Sequence, residues 1–186
     1  DPKDIRCNNA LGLWYLRRGK FETSIPYFEK AIETLISRNP NPYDSEPYYN
    51  LGLAYKAVGN LQKAYDSFYK TIWTSQWQDV GYFSLAQIDI SNEKYEEALD
   101  HISKSLDRNA NNGKSYVLKS FVLRKLDRQQ EALLVIEEAL RRDRFNLGAL
   151  FEKMNVLAVQ NKTQESQNCR NKIISLSRNK GNNILA

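Results

Sequence analysis

The sequence predicts an all-α fold, a solenoid of about five helix-turn-helix units. The first observation is an internal repeat with a period of 34 residues. The second is that apolar and small residues recur within each period at spacings of three and four, as on one face of a helix. The third is composition, because 8 Gly and 5 Pro among 186 residues leave little chain for long loops, and 41% hydrophobic residues suffice for a continuous core.

The repeat is clearest when the second unit is shifted forward along the chain. Tyr82 and Tyr116 stand one and two periods after Tyr48, and Ala98 stands one period after Ala64. A single hairpin cannot bury such a stripe, whereas stacked copies can. We therefore expect repeats at approximately 5–44, 45–78, 79–112, 113–146 and 147–180, forming one domain over residues 1–186, with six extra residues around 39–44 in the first repeat.

Each unit is expected to contain two helices of roughly 14 residues joined by a tight turn. In the first unit, Gly19 ends the first helix, and Pro26 is tolerated in the second helix if that helix begins two or three residues earlier. In the second unit, Asp44 or Ser45 caps the first helix, and Gly59 ends it. The turn signal is weaker in the later units, since charged residues stand at the glycine position.

Small residues are expected where the two helices of a hairpin approach each other. In the second unit, Leu51 with Gly52 gives one close contact and Ala64 gives another. Large aromatic side chains, such as Tyr55 and Phe68, then fill the space around these contacts. The spacing is therefore typical of helix packing.

These residues resemble the tetratricopeptide repeat family, whose pattern of Trp/Tyr, Leu-Gly, Tyr, Gly, Ala, Phe and Ala spans one period. The resemblance runs from about Ile5 to about Leu176 and is best in the first two units. It implies a right-handed superhelix of about ten helices that binds protein, with the first helices lining the concave surface. The chain departs from the family's closing Pro, because Gln76, Ala110 and Arg144 stand at those places.

A second resemblance concerns the context of the chain. The stretch RNPNPYDSEPYYNLGL, residues 38–53, is similar to the repeat region of large bacterial proteins of uncharacterised function, in which the repeats follow a β-sandwich domain like that of aldose mutarotases. The chain also begins without Met, so we expect it to be a piece of a longer protein. It has neither an apolar run of about 18 residues nor a signal segment, so no membrane span is expected. With two cysteines, too few for a disulfide scaffold, a cytoplasmic chain is the expectation.

No constellation of catalytic residues is found, so the sequence predicts neither an enzyme nor a cofactor. The single histidine, His101, excludes motifs with two histidines, and Gly113-Lys114-Ser115 reads as a helix start because a phosphate-binding loop needs an earlier glycine. Cys7 and Cys169 belong to the first and last units, too far apart for a disulfide, and are expected to be free thiols. Metal ligation is therefore not predicted.

The family resemblance implies a peptide-binding groove on the first helices. The groove is predicted to be apolar in its middle and basic along one edge, which suits an extended or helical peptide. The alternative is that its aromatic residues simply pack between neighbouring helices. The predicted groove residues are Asn9, Leu13, Arg17, Tyr49, Asn50, Leu53, Lys56, Phe83, Gln87, Val117, Phe121 and Arg124.

The predicted function is a non-catalytic, monomeric scaffold for protein–protein interaction, binding a peptide or another domain of its parent chain. A family subset grips peptide carboxylates with Lys, Asn, Asn, Lys and Arg, but only Asn50 fits that clamp here. Nucleic-acid binding is an alternative, since the net charge is +5, but basic and acidic residues alternate rather than forming a stripe. A purely structural or regulatory spacer, attached to a carbohydrate-related domain, is another alternative.

Trp14 is a candidate for docking a neighbouring domain. It stands beside Tyr15 at a position that packs against adjoining helices in the family, and no earlier repeat is present to supply them. Terminal repeats of a free-standing solenoid usually carry a polar outer face. The alternative is that Trp14 is buried within its own hairpin.

Overall fold

The computed structural model describes residues 3–39 and 43–182, which form ten α-helices and no strand. This confirms the all-α helical-repeat fold. The extra residues at 40–42 lie outside the described part of the chain. The repeat ranges and the right-handed superhelix stay predictions. In chain order the helices are α1 Ile5–Leu16, α2 Phe21–Arg38, α3 Glu46–Ala57, α4 Leu61–Thr71, α5 Gln78–Ser91, α6 Tyr95–Arg108, α7 Gly113–Lys125, α8 Gln129–Arg142, α9 Leu147–Val159 and α10 Thr163–Asn182, with a short 3-10 helix at Ser75–Trp77 before α5.

The chain divides into two compact units, and the first covers Asp1–Ser91. Within it each helix packs on the next, and α1 also contacts α3. Its core is built around Phe28 and Phe68, both fully buried, with Tyr48 and Tyr55 beside them. Every one of these residues belongs to the predicted packing pattern or to its counterpart in the first repeat.

The second unit covers Asn92–Ala186 and repeats the arrangement with aliphatic side chains. Here α6 packs on α7, α7 on α8, α8 on α9 and α9 on α10, and α7 also contacts α9. One cluster joins Leu123, Ala132 and Val156, and another joins Ile136 and Ala149 around further side chains of α7 and α8. The pairing of α7 with α9 places successive first helices side by side.

Every hairpin turn holds one residue in the left-handed region of backbone space. Gly19 and Gly59 have φ of 73° and 80°, as predicted for the first two units. Glu93, Asp127 and Asn161 occupy the same place in the later units, with φ of 59°, 62° and 59°. The turn therefore persists where its glycine is absent, although a side chain at positive φ is less favourable.

Side-chain caps start several helices as expected. Asn60, Asn112 and Asn146 each accept a hydrogen bond from a backbone N–H three residues later. The Gly113 segment is thus a capped helix start, as predicted. At α3 the cap is supplied by Asp44, whose Oδ1 accepts from the N–H of Glu46 at 2.9 Å.

The expectation for Pro26 is wrong. The helix α2 begins at Phe21, five residues before Pro26, so the proline lies inside the helix rather than in its first turn. It removes one backbone N–H donor from the helix. The exposed position of Pro26 lets water reach the backbone at this place.

Glycines in α1 and α3 make room for aromatic rings from the paired helices. A Cβ at Gly52 would lie 2.5 Å from Cε1 of Phe68, and a Cβ at Gly12 would lie at the same distance from Cε1 of Phe28. The close approach predicted at Gly52 is therefore between the α3 backbone and a ring. At the corresponding place in α7, the Oγ of Ser120 donates to the carbonyl of Ala132 at 2.9 Å.

Tyr55 gives the first unit a measurable response to alkaline pH. The side chain is 8% exposed, and its hydroxyl donates to Oε1 of Glu29 at 2.6 Å. Burial, helped by the Glu29 hydrogen bond and charge, raises the pKa of Tyr55 to about 12. The unfolded value is about 10. This contribution to stability is therefore fully present below pH 10 and is lost as the pH rises towards 12.

We expect the free energy of unfolding to fall between about pH 10 and pH 12, and to fall less in Tyr55→Phe. Urea unfolding at about pH 10 and about pH 12 measures the free energy of unfolding of both proteins. Tyr69→Phe is the control, since Tyr69 is 54% exposed on α4. An equal fall in Tyr55→Phe and the unaltered protein would contradict the assignment.

No described helix is both long and apolar enough to cross a bilayer. Cys7 and Cys169 are free thiols, as predicted. Burial raises the pKa of Cys169, and the hydrogen bond with Asp4 raises that of Cys7. Both thiols are thus poorer nucleophiles than an ordinary cysteine.

Candidate functional site

The first helices of the first unit are tied together by two side-chain hydrogen bonds. Asn50 on α3 donates from Nδ2 to Oδ1 of Asn9 on α1 at 2.9 Å, and both residues are buried. Lys56 on α3 donates from Nζ to Oε1 of Gln87 on α5 at 2.7 Å. These bonds bring three predicted stripes of α1, α3 and α5 onto one face, which we term the first-helix face.

Lys56 places a half-buried ammonium group on this face. Burial lowers the pKa of its ammonium group. Its described partner, Gln87, is a neutral amide, so this hydrogen bond orients the ammonium without cancelling its charge. A half-buried, oriented cation of this kind suits a carboxylate ligand.

Several predicted contact residues pack against the core. Leu13, Tyr49 and Leu53 are half-buried and lie against the core cluster of the first unit. The ring of Tyr49 lies 5.9 Å from that of Phe68 and 5.4 Å from that of Trp77, measured between centroids. For Tyr49 the packing alternative therefore describes the contacts better than the groove prediction does.

Arg17 and Phe83 are not part of the core cluster that Leu13, Tyr49 and Leu53 contact. Arg17 is exposed after the end of α1, and Phe83 is half-buried on α5 one turn before Gln87. Residues four apart lie on the same side of a helix, so Phe83 stands next to the Lys56–Gln87 bond. The first unit thus combines an aromatic ring with an oriented cation.

The second unit carries its own set of first-helix residues on α7. Val117 packs against a core cluster, while Phe121 is half-buried with the guanidinium of Arg124 at 5.3 Å and the ammonium of Lys125 at 5.8 Å from its ring centroid. Both distances are within the range of cation–π attraction. This surface is described by itself, apart from the face of the first unit.

Arg124 is held by a carboxylate. Its Nε donates to Oε1 of Glu152 on α9 at 2.8 Å, and a second guanidinium nitrogen donates to Oε2 at 3.3 Å. The side chains are 18% and 5% exposed. Because Glu152 neutralises it, Arg124 contributes structure more than free positive charge, unlike Lys56.

Trp14 is 46% exposed, so the alternative that it is buried within its own hairpin is wrong. The guanidinium of Arg18 lies 3.8 Å from its ring centroid, and the ring of Tyr15 meets it edge-on at 4.9 Å. The exposed ring is compatible with docking, and that role stays a prediction.

Sequence reasoning missed two residues that shape these surfaces. Trp77, in the 3-10 helix, stacks near Tyr49 and donates from Nε1 to Oδ1 of Asp44 at 2.8 Å. Glu152 was not singled out, although it lies opposite Arg124 and accepts a hydrogen bond from it. Its signal was that it is the one acidic residue of a largely apolar helix, LGALFEKMNVLAV.

Within residues 3–39 and 43–182, no group of three or more His, Cys, Asp and Glu side chains is placed to hold a metal ion. His101 is half-buried on α6, as expected. Stacked hairpins with packed first helices define this chain as a helical-repeat protein.

The comparisons with known proteins identify the repeat type. Residues 4–72 match the family model described as tetratricopeptide repeat. These residues therefore carry tetratricopeptide repeats, as the residue pattern predicted. Proteins with these repeats generally mediate protein–protein interactions and are typically non-catalytic scaffolds.

Two curated relatives are similar over part of the chain. The BBSome complex member BBS4 homolog of Drosophila melanogaster is 28% identical over 101 residues, which is 54% of this chain and 21% of that protein. The anaphase-promoting complex subunit CDC16 of Saccharomyces cerevisiae is 25% identical over 118 residues, covering 63% and 14% respectively. The chain thus spans about a fifth or less of each relative.

Solved structures show the same fold at low identity. The crystal structure of MamA aligns with a TM-score of 0.77 and 16% identity, over 92% of this chain and 96% of that one. YrrB, described as a TPR protein with an unusual peptide-binding site, aligns with a TM-score of 0.72 and 16% identity, over 94% and 87%. At these identities the likeness concerns the fold alone.

Proposed function

We propose that this chain is a protein-interaction module whose first-helix face in the first unit binds a peptide segment with apolar and acidic residues. The observation that carries the proposal is the Lys56–Gln87 hydrogen bond, which orients a cation beside the partly exposed ring of Phe83. Leu53 lies on the same face of α3, three residues before Lys56. Such a surface offers apolar contact and one directional charge.

The second unit supports a related but weaker contact. Phe121 has two cations near its ring, but Glu152 already neutralises Arg124. Lys125 is exposed and remains available to a carboxylate. We infer that Val117 and Phe121 add apolar area, while charge selectivity resides mainly with Lys56 and Arg17. YrrB, which has the same fold and is described as having an unusual peptide-binding site, supports this class of ligand.

The test starts from peptides selected by panning a random-peptide library on the purified chain. A selected peptide is labelled with fluorescein, and its dissociation constant is measured by polarisation. We expect Phe83→Ala to weaken binding about tenfold, because a buried aromatic contact is lost. Lys56→Gln should weaken it a few-fold and reduce its salt dependence, because a partly solvated ion pair contributes little.

Tyr69→Ala is the matched control, since it removes a ring that is 54% exposed on the second helix α4. Equal losses for Phe83→Ala and Tyr69→Ala would argue against the first-helix face. Mixed RNA and DNA oligomers, titrated at about 50 and 200 mM salt, test the nucleic-acid alternative, which predicts a steep loss of affinity with salt. Failure to select any peptide above background would favour a structural spacer.

A further inference from the structure

An open groove lies between α9 and α10 in the second unit. It has a volume of about 480 Å³ and is lined by Phe151 and Met154 of α9 and by Arg170, Ile173 and Ile174 of α10, among others. Phe151 is 55% exposed and Ile174 is 41% exposed. This groove, the α9–α10 groove, shares no residue with the first-helix face.

The preceding repeat shows what fits such a groove. In that repeat Val117 of α7 and Ile136, Ala139 and Leu140 of α8 form a cluster around Ala149 of the next first helix, α9. Ile136, Ala139 and Ala149 are 0%, 2% and 0% exposed there. A helix with a small residue at the contact therefore seals this place in the second unit.

The α9–α10 groove is the same place one period later. Adding 34 to the numbers of four α7 and α8 members of that cluster gives residues that line the groove. The four pairs are Val117 and Phe151, Ile136 and Arg170, Ala139 and Ile173, and Leu140 and Ile174. The packing of α9 on α7 and α8 thus indicates that the occupant of the α9–α10 groove is an α-helix that presents a small side chain.

One of these replacements defines the charge of the occupant. Arg170 stands where the earlier repeat has the fully buried Ile136. A cation that lines a helix-binding groove calls for a facing carboxylate, because an uncompensated charge is costly to cover. The sequence of α10 is basic overall, with Arg170, Lys172, Arg178 and Lys180 against Glu165.

We propose that the α9–α10 groove docks an acidic amphipathic α-helix of a partner protein, with an alanine-sized residue against Ile173 and a carboxylate against Arg170. The docked helix would pack as α9 packs on the preceding repeat. The pairing of its carboxylate with Arg170 would select the partner. This interaction is independent of peptide binding at the first-helix face.

The test uses two synthetic amphipathic peptides of about 15 residues, a length at which isolated helices begin to form. Both carry the same Ala and Leu stripe, and the polar face is Glu in one and Lys in the other. We expect the Glu peptide to bind the chain and the Lys peptide to bind at least about tenfold more weakly. Arg170→Glu should reverse this preference, and Phe151→Ala should weaken the Glu peptide about tenfold.

Lys172→Glu is the charge-matched control on the same helix, since Lys172 does not line the groove. It should leave the preference in place, and circular dichroism checks that each variant keeps its helicity. Equal binding of both peptides, or equal effects of Arg170→Glu and Lys172→Glu, would overturn the proposal. Self-association of the chain that Phe151→Ala abolishes would also overturn it, because the occupant would then be a second copy.

Discussion

Arg124→Met is expected to lower the free energy of unfolding by about 3 kcal/mol. The change leaves the carboxylate of Glu152, whose side chain is 5% exposed, without the guanidinium that donates to both of its oxygens. A charge that is buried and unpaired costs more than the original pair ever contributed. Urea unfolding followed by circular dichroism measures the loss.

Arg128→Met provides the matched control. Arg128 also donates two hydrogen bonds to a carboxylate, but its partner Glu131 is 54% exposed and remains solvated when the pair is broken. That change should cost much less than Arg124→Met, because a solvated ion pair contributes little. The double change Arg124→Met with Glu152→Leu should recover much of the loss, because it removes both charges together. A loss for Arg124→Met no larger than that for Arg128→Met would refute the buried-pair assignment.

Gly52→Ala is expected to destabilise the first unit by about 1–3 kcal/mol. The new Cβ would lie 2.5 Å from Cε1 and 2.6 Å from Cδ1 of Phe68, and that ring is fully buried. The ring can move only by disturbing Tyr49, whose centroid is 5.9 Å away. Thermal unfolding should therefore show a lower Tm.

The control is Gly148→Ala on α9, where the nearest heavy atom to a new Cβ is Oδ1 of Asn146 at 3.4 Å. That site has room, and alanine favours a helix over glycine by about 1 kcal/mol. Gly148→Ala should thus be neutral or stabilising. If both substitutions shift Tm in the same direction, the ring contact at Gly52 does not govern packing.

The helices were predictable because repetition supplies the same evidence several times. The turn at Glu93 lacks a glycine, yet its place in the period identified it. Pro26 was misplaced because propensity alone puts proline near a helix start, whereas packing of Phe28 extends α2 on both sides of it. Local preference was overridden by the core.

The interaction surface was less predictable, because exposure depends on which neighbours a side chain meets. Asn9 and Asn50 occupy ligand-contact positions by resemblance, but in the structure they bond to each other and are buried. Glu152 was not singled out because its partner Arg124 lies on another helix, 28 residues earlier. Such pairs form only when helices of different repeats stack. The residues of a single repeat therefore do not reveal them.

The recurrent left-handed turn has a consequence for how such a chain tolerates changes in length. Within a hairpin the connection is fixed by that turn and stays short, as at residues 58–60, 92–94, 126–128 and 160–162. Between hairpins it varies, from 109–112 to the longer 39–45 and 72–77. A change of length should therefore be tolerated better between hairpins, where only a loop must adapt, and the whole hairpin is the natural unit of duplication and exchange. For engineering, this favours grafting foreign segments after a second helix rather than after a first one.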